Sequence, residues 1–226
     1  MPEDSPGVGP KYEVDGILRV EHVPGWREIP GHLRIQPQAA PARTVSGPAS
    51  QETGAQDLAS TLIAEWLWTY AEGTKGCQAG DSAAWSLLAE LPQPDHFLRI
   101  LPGCGGQSFI EAEFYRGAPE LIVEVAPSGD ECSFPQNKAL YAKAGVRESL
   151  AVLLEEKEVS WEGWAGDNYA ALAQSPDGIR RSLFFPGLWL DVQALLDGNA
   201  ARLIQVLELG LQTAEHTEFV ARLGAR

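Results

Sequence analysis

The chain has 226 residues, 44% of them hydrophobic, and a formal net charge of −14. That length suits one domain with a sizeable core, or at most two small ones. The acidity argues against broad affinity for nucleic acid, which needs a basic surface, although it leaves room for a local basic groove.

The N-terminal MPEDSPGVGP is acidic and lacks an apolar run, so residues 1–11 are expected to be a disordered tail and not a signal peptide. KYEVDGILRVEHVPGW, from Lys11, reads as two short strands with a turn near Gly16 or Pro24. From Gln36 to Ser50 the composition shifts to Pro, Ala, Ser and Gly, which is loop chemistry. A helix follows. Ala55, Leu58, Ala59, Leu62, Ile63, Trp66, Leu67 and Tyr70 recur at helical spacing, with Ser50 as N-cap and Gly73 as stop. GDSAAWSLLAEL and PDHFLRILP read as strands, the second introduced by Pro92 and Pro94. GCGGQS lacks the Gly-Lys-Ser/Thr ending of a phosphate loop and reads as a hairpin turn.

PELIVEVA, from Pro119, is the strongest strand, apolar on both faces as a central, covered strand would be. A helix from about Phe134 to Ala144 ends at Gly145. ESLAVLLEE and VSWEGWAG form a strand pair, and FFPGLWLD is a short extended piece. From Val192 to Leu223 the pattern predicts two helices divided near Gly198. This order predicts an α/β or α+β fold, a sheet with helices packed on it. No segment approaches the length of a membrane-spanning helix, so no membrane partner is expected. Cys77, Cys104 and Cys132 are odd in number and form no C-x-x-C pair, which argues against a zinc ribbon or disulfide framework and points to a cytoplasmic home.

One residue in the strongest strand does not fit. Glu124 shares a face with Ile122 and Ala126, and a lone carboxylate there is costly unless paired, neutralised or bound to a metal. Asp95 opens a neighbouring strand, and a return through GCGGQS brings the two acids together. A divalent cation relieves their repulsion, and hard oxygen ligands suit magnesium. The alternative is that Glu124 reaches solvent or an arginine, Arg99 or Arg116. His22, His32, His96 and His216 have no metal-ligand spacing, and His96 points to the face opposite Asp95. Asp81, Asp130 and Glu131 read as loop residues.

PQPDHFLRILPGCGGQS, GAPELIVEVAPS, NKALYAKAGVRE and FFPGLWLD, in that order, resemble the restriction-endonuclease domain family of the PD-(D/E)XK nuclease superfamily. The resemblance runs from about Tyr12 to the C-terminal helices. It implies a restriction-endonuclease-like core, a mixed sheet flanked by helices, over residues 12–198. An N-terminal β-hairpin is added to it, and a C-terminal helical extension, 199–226, packs on the same domain. It further implies magnesium, or manganese, held between two acids for hydrolysis of DNA phosphodiester bonds. The family's proline-aspartate falls on Pro94-Asp95 and its strand glutamate on Glu124, with the Val125 carbonyl as third ligand and Glu52 as the assisting acid on the first helix. The family's lysine, four residues before Tyr141, falls on Asn137, and Lys138 is next to it. Ser133 stands where the family tends to have an aspartate, and Thr53 where it often has a histidine.

Neighbouring helix positions differ by about 100° around the axis, so Lys138 either reaches a water near the metal or points to solvent. Two readings follow. One is a magnesium-dependent endonuclease acting on DNA, with Asp95 and Glu124 on the metal, Lys138 at the attacking water, and Lys138, Lys143 and Arg147 as a local basic patch. The other is a degenerate nuclease fold with a binding or scaffolding role, in which WEGWAG and the helical C-terminus serve a homodimer or another protein.

Overall fold

The computed structural model describes residues 11–14, 17–20, 52–111 and 114–225. Residues 1–10 of the expected tail, the Gln36–Ser50 loop, the Ser50 cap, the turn at Gly16 or Pro24, and His22 and His32 lie outside the described residues, while Lys11 belongs to a strand. The chain divides into two compact units, Met1–Ala40 and Pro41–Arg226. In the first, β1 (Lys11–Val14) and β2 (Ile17–Val20) pair antiparallel as a short hairpin.

The second unit opens with α1 (Glu52–Gly73). Ala59, Leu62, Ile63, Trp66, Leu67 and Tyr70 form its buried stripe, the i, i+3, i+4, i+7 pattern that drives an amphipathic helix onto a sheet. Next come β3 (Cys77–Asp81), β4 (Trp85–Ser86) and β5 (His96–Ile100). The single strand expected over GDSAAWSLLAEL is broken. Ser82 and Leu88 take left-handed backbone (φ 44 and 54), and Leu87 and Glu90 close a tight turn through reciprocal backbone hydrogen bonds. Asp81 therefore ends β3 and is not a loop residue. GCGGQS is a turn, but it does not return the chain directly. A 3-10 turn at Pro102–Cys104 leads into the hairpin β6 (Phe109–Glu111) and β7 (Phe114–Arg116) before the main sheet resumes.

There β8 (Leu121–Ala126) is buried at all six positions. It sends Leu121, Val123 and Val125 into the core under α1, and Ile122 and Ala126 into the core under α2 (Phe134–Ala144). Each fully buried aliphatic side chain contributes roughly 1.5–3 kcal/mol. Helix α2 stops at Gly145, whose φ of 95 suits only glycine. It is the crossover from β8 to the parallel β9 (Glu148–Leu153), and β10 (Glu158–Trp164) and β11 (Tyr169–Ala171) follow antiparallel. The six-stranded sheet runs β11-β10-β9-β8-β5-β3, which is a mixed sheet with β8 and β9 at its centre.

The rest of the chain closes the α1 side. β12 (Ile179–Arg181) and β13 (Trp189–Asp191) pair antiparallel. The FFPGLWLD segment is held by Trp66 Nε1 donating to the Trp189 carbonyl (2.9 Å) and the Tyr70 hydroxyl donating to the Pro186 carbonyl (2.9 Å). Its Gly187 has φ 86 and abuts Gly210, where any Cβ would strike the Gly187 carbonyl. Three helices follow where two are expected: α3 (Val192–Leu196), α4 (Ala200–Leu211) and α5 (Ala214–Gly224). Gly198 makes the first break, and Thr213, capping the His216 amide, makes the second. Leu203, Leu207, Phe219 and Leu223 enter the core that α1 covers. No helix among the described residues is long and apolar enough to cross a membrane.

Candidate functional site

Asp95 and Glu124 lie on adjacent strand segments. The backbone ladder between β5 and β8 ends at His96 opposite Val123. It stops there because Pro94 has no N–H to offer, while β8 runs on to Ala126 beside β9. On that open edge the Val125 N–H and C=O lack strand partners. Side chains replace them. The Asp95 carboxylate accepts from the Val125 N–H at 2.7 Å, and Gln56 on α1 donates its amide to the Val125 carbonyl at 2.9 Å. The carboxylate that ends one strand thus sits against the residue after Glu124 on the other.

Glu124 is only 7% exposed. The hydroxyl of Ser133, the residue before α2, donates to its Oε1 at 2.6 Å. Its carboxyl is pushed up to about 7, first by burial and further by the neighbouring Asp95 charge, with the Ser133 hydrogen bond pulling back. Neither arginine relieves it. Arg99 is spent on Gln78 (2.6 and 2.8 Å) and Ser108 and lies over the Tyr115 ring. Arg116 pairs with Glu111 (3.3 Å) and donates to Ser86.

The α2 side of the site is polar but uncharged. Ser133, Asn137 and Tyr141 are four residues apart, so they form one row down the helix. The Tyr141 hydroxyl feels both Asn137 and Ser133, and burial followed by the Glu124 charge pushes its phenol upward. Lys138 belongs to a different face. Its ammonium lies 2.7 Å from Glu162 Oε2 on β10 and over the Tyr169 ring. Asn137 is therefore the residue that the helix phase turns toward Glu124, while Lys138 turns toward β10.

On the opposite sheet face His96 is buried, and its Nε2 shares a 2.8 Å hydrogen bond with Ser60 Oγ of α1. Burial lowers its pKa, so at neutral pH it is an uncharged core residue. Glu52 is the first residue of α1, and its side chain, like that of Thr53, lies outside the described residues. Among the described residues no three His, Cys, Asp or Glu side chains cluster as a metal site. Cys77 and Cys132 are buried, and Cys104 is half-buried.

The sequence reading missed Gln56. The signal was present: Gln56 stands three residues before Ala59, in line with the buried stripe of α1, where an apolar residue is the norm. It also missed Glu120 and Glu148, two further buried acids. Glu120 accepts from the backbone amides of Ile100 (2.7 Å) and Gln107 (3.4 Å) and so ties β5 to the loop beyond it.

A mixed sheet with α1 and α2 on its two faces, and an acid pair where one central strand outruns its neighbour, is a restriction-endonuclease-like fold of the nuclease class. The chain belongs to the Uma2 family, described as putative restriction endonuclease, whose model matches residues 46–193. The hairpin at Lys11–Val20, α4 and α5 lie outside the matched residues, so the match starts later than the resemblance read from Tyr12. The crystal structure of a putative nuclease belonging to DUF820 from Anabaena variabilis is similar to this chain. The TM-score is 0.51 at 13% identity, over 88% of this chain and 94% of that one. At that identity the likeness establishes the fold alone. No curated protein matches the chain.

Proposed function

We propose that the protein is a metal-dependent endonuclease acting on DNA, with magnesium, or manganese, held by Asp95, Glu124 and the Val125 carbonyl. The observation that carries this reading is the environment of Glu124: a buried strand carboxylate with one neutral donor and a second carboxylate beside it. The donor set fits the ion. All three groups present hard oxygens, and among the described residues no arginine or lysine is shown paired with Glu124. When bound, such an ion supplies a polarised phosphodiester and an acidified water. The chain's own residues prepare its seat. Asp95 commits Oδ2 to the Val125 N–H, which fixes the carboxylate. Ser133 orients Glu124 through Oε1. Asn137 and Tyr141 present neutral polar groups from α2.

Lys143 and Arg147, both exposed at the end of α2, are the cations that would meet a phosphate backbone within an otherwise acidic chain. Glu52 remains the candidate assisting acid from α1. Three cysteines with no C-x-x-C pair suit a cytoplasmic home, and WEGWAG with the C-terminal helices remains the candidate homodimer surface.

Plasmid cleavage with and without magnesium tests the reading. Wild type should nick DNA only with the metal, and Asp95→Ala and Glu124→Ala should each lower the rate by about a hundredfold or more. Cleavage that persists in both variants removes the assigned site.

A second reading rests on a specific observation. Asn137 stands on α2 in one row with Ser133 and Tyr141 and is tied to Tyr141, while the adjacent Lys138 is engaged by Glu162. A site without its lysine is a degenerate nuclease that keeps a binding or scaffolding role. Asn137→Lys separates the two. If the lysine is all that is lacking, the variant cleaves faster than wild type. If it binds metal yet stays inert, the fold has been turned to binding.

A further inference from the structure

Gln56 is the one α1 side chain shown to reach the open end of β8, and its contact there is with a proposed metal ligand. We infer that Gln56 is a positioning residue of the metal centre, presetting the Val125 carbonyl to receive the cation. The inference rests on the metal reading above and deepens it.

Val125 is 2% exposed, and its two backbone groups face the side that β5 has vacated. A buried carbonyl there needs a donor, or it pays the cost of an unmade hydrogen bond. Gln56 Nε2 provides one at 2.9 Å. A carbonyl oxygen carries two lone pairs, so this bond fills one and leaves the other to point out of the ladder. The same peptide strand is pinned on its N–H side by Asp95. Asp95, itself a proposed ligand, therefore holds the N–H of Val125, and Gln56 holds its carbonyl from α1. Partners that hold a ligand without touching the metal typically change metal affinity by about 10- to 100-fold when removed.

Ser60 gives the control. It sits one helical turn further along α1 and also bonds the sheet, through His96, but on the face away from Glu124. A variant that merely loosens α1 from the sheet should affect both positions alike. The experiment is Mn2+ binding to the full chain, read by electron paramagnetic resonance, in wild type, Gln56→Met, Ser60→Ala and Asp95→Ala. Methionine keeps the volume of glutamine and removes the donor. Gln56→Met should weaken Mn2+ binding by about tenfold, and Ser60→Ala should leave it within about twofold, at matched thermal stability. Gln56→Met binding as tightly as wild type, or tighter, overturns the inference while leaving the metal site standing. Equal weakening in Ser60→Ala also overturns it, by showing that helix docking alone is at work. Wild type that fails to bind Mn2+, or binding that survives Asp95→Ala, removes the metal reading and Gln56's role together.

Discussion

Two glutamates on neighbouring central strands are both buried, and they are opposite in kind. Glu148 opens β9, is 1% exposed, and meets four donors: the Leu183 and Phe184 amides (2.7 and 2.9 Å), the Ser182 hydroxyl (2.7 Å) and the Trp161 indole (3.2 Å). Glu124, on β8, meets one hydroxyl and faces another acid. Burial pushes both carboxyls upward. For Glu148 every other influence pulls back, and all four are hydrogen bonds from the surrounding chain. For Glu124 the Asp95 charge adds to the penalty. A buried carboxylate ringed by donors is a structural rivet, here fastening the FFPGLWLD approach to the sheet. A buried carboxylate left short of donors beside its own kind leaves room for a cation.

The comparison makes its largest prediction at Glu148. Glu148→Ala strands four buried donors at once, and should cost on the order of 4 kcal/mol in urea unfolding. Glu124→Gln should cost nothing at neutral pH or above, and should stabilise the chain. A Glu148→Ala variant as stable as wild type would erase the distinction between the two sites.

Much of this contrast was legible in the sequence, for a physical reason. Glu124 stands inside an unbroken apolar run, so its burial could be read from pattern alone, and Pro94 announced where its neighbouring strand must stop. Helix α2, its glycine stop and the β9–β10 pair follow from local propensity and were read with their limits nearly intact. Glu148 was invisible. It sits at a strand start, where a charged residue is ordinary, and three of its four donors come from more than thirty residues along the chain, at Ser182 to Phe184. The β6–β7 excursion and the turn at Leu88 were missed because they depend on backbone conformations that non-glycine residues seldom adopt and on tertiary contacts. The fate of Lys138 hung on helix phase and on Glu162, a partner on a strand not adjacent to β8.

Next in size is the pH dependence of Glu124. Its folded pKa, about 7, lies above the ordinary 4.5, so the native chain binds the proton more tightly than the unfolded chain does. Stability should then fall as pH rises from 4.5 to about 7, by on the order of 3 kcal/mol in full. Subtracting the Glu124→Gln profile isolates this contribution, because His96, Glu148 and the remaining groups titrate in both proteins. The difference should be near zero at pH 4.5 and fully developed by pH 8. Magnesium added at pH 8 should raise the stability of wild type and not of Glu124→Gln. Parallel profiles across that window would show that Glu124 is not desolvated as its burial indicates.

The smallest effect expected is at Ser133, and it sharpens the comparison most finely. Its hydroxyl is the one donor shown on Glu124, and that bond favours the charged form. Ser133→Ala should therefore move Glu124 further from Glu148 in satisfaction, leaving it with no shown donor. The carboxyl should titrate at a higher pH than in wild type, and the chain should lose about 1 kcal/mol above pH 8 while losing much less at pH 5, where Glu124 is protonated. The alanine's own structural cost appears equally at both pH values, so the difference between them is the readout. An equal loss at pH 5 and pH 8 would mean that Ser133 serves the start of α2 alone. A loss confined to high pH, and removed by magnesium, would mean that the hydroxyl and the cation do the same work for one carboxylate.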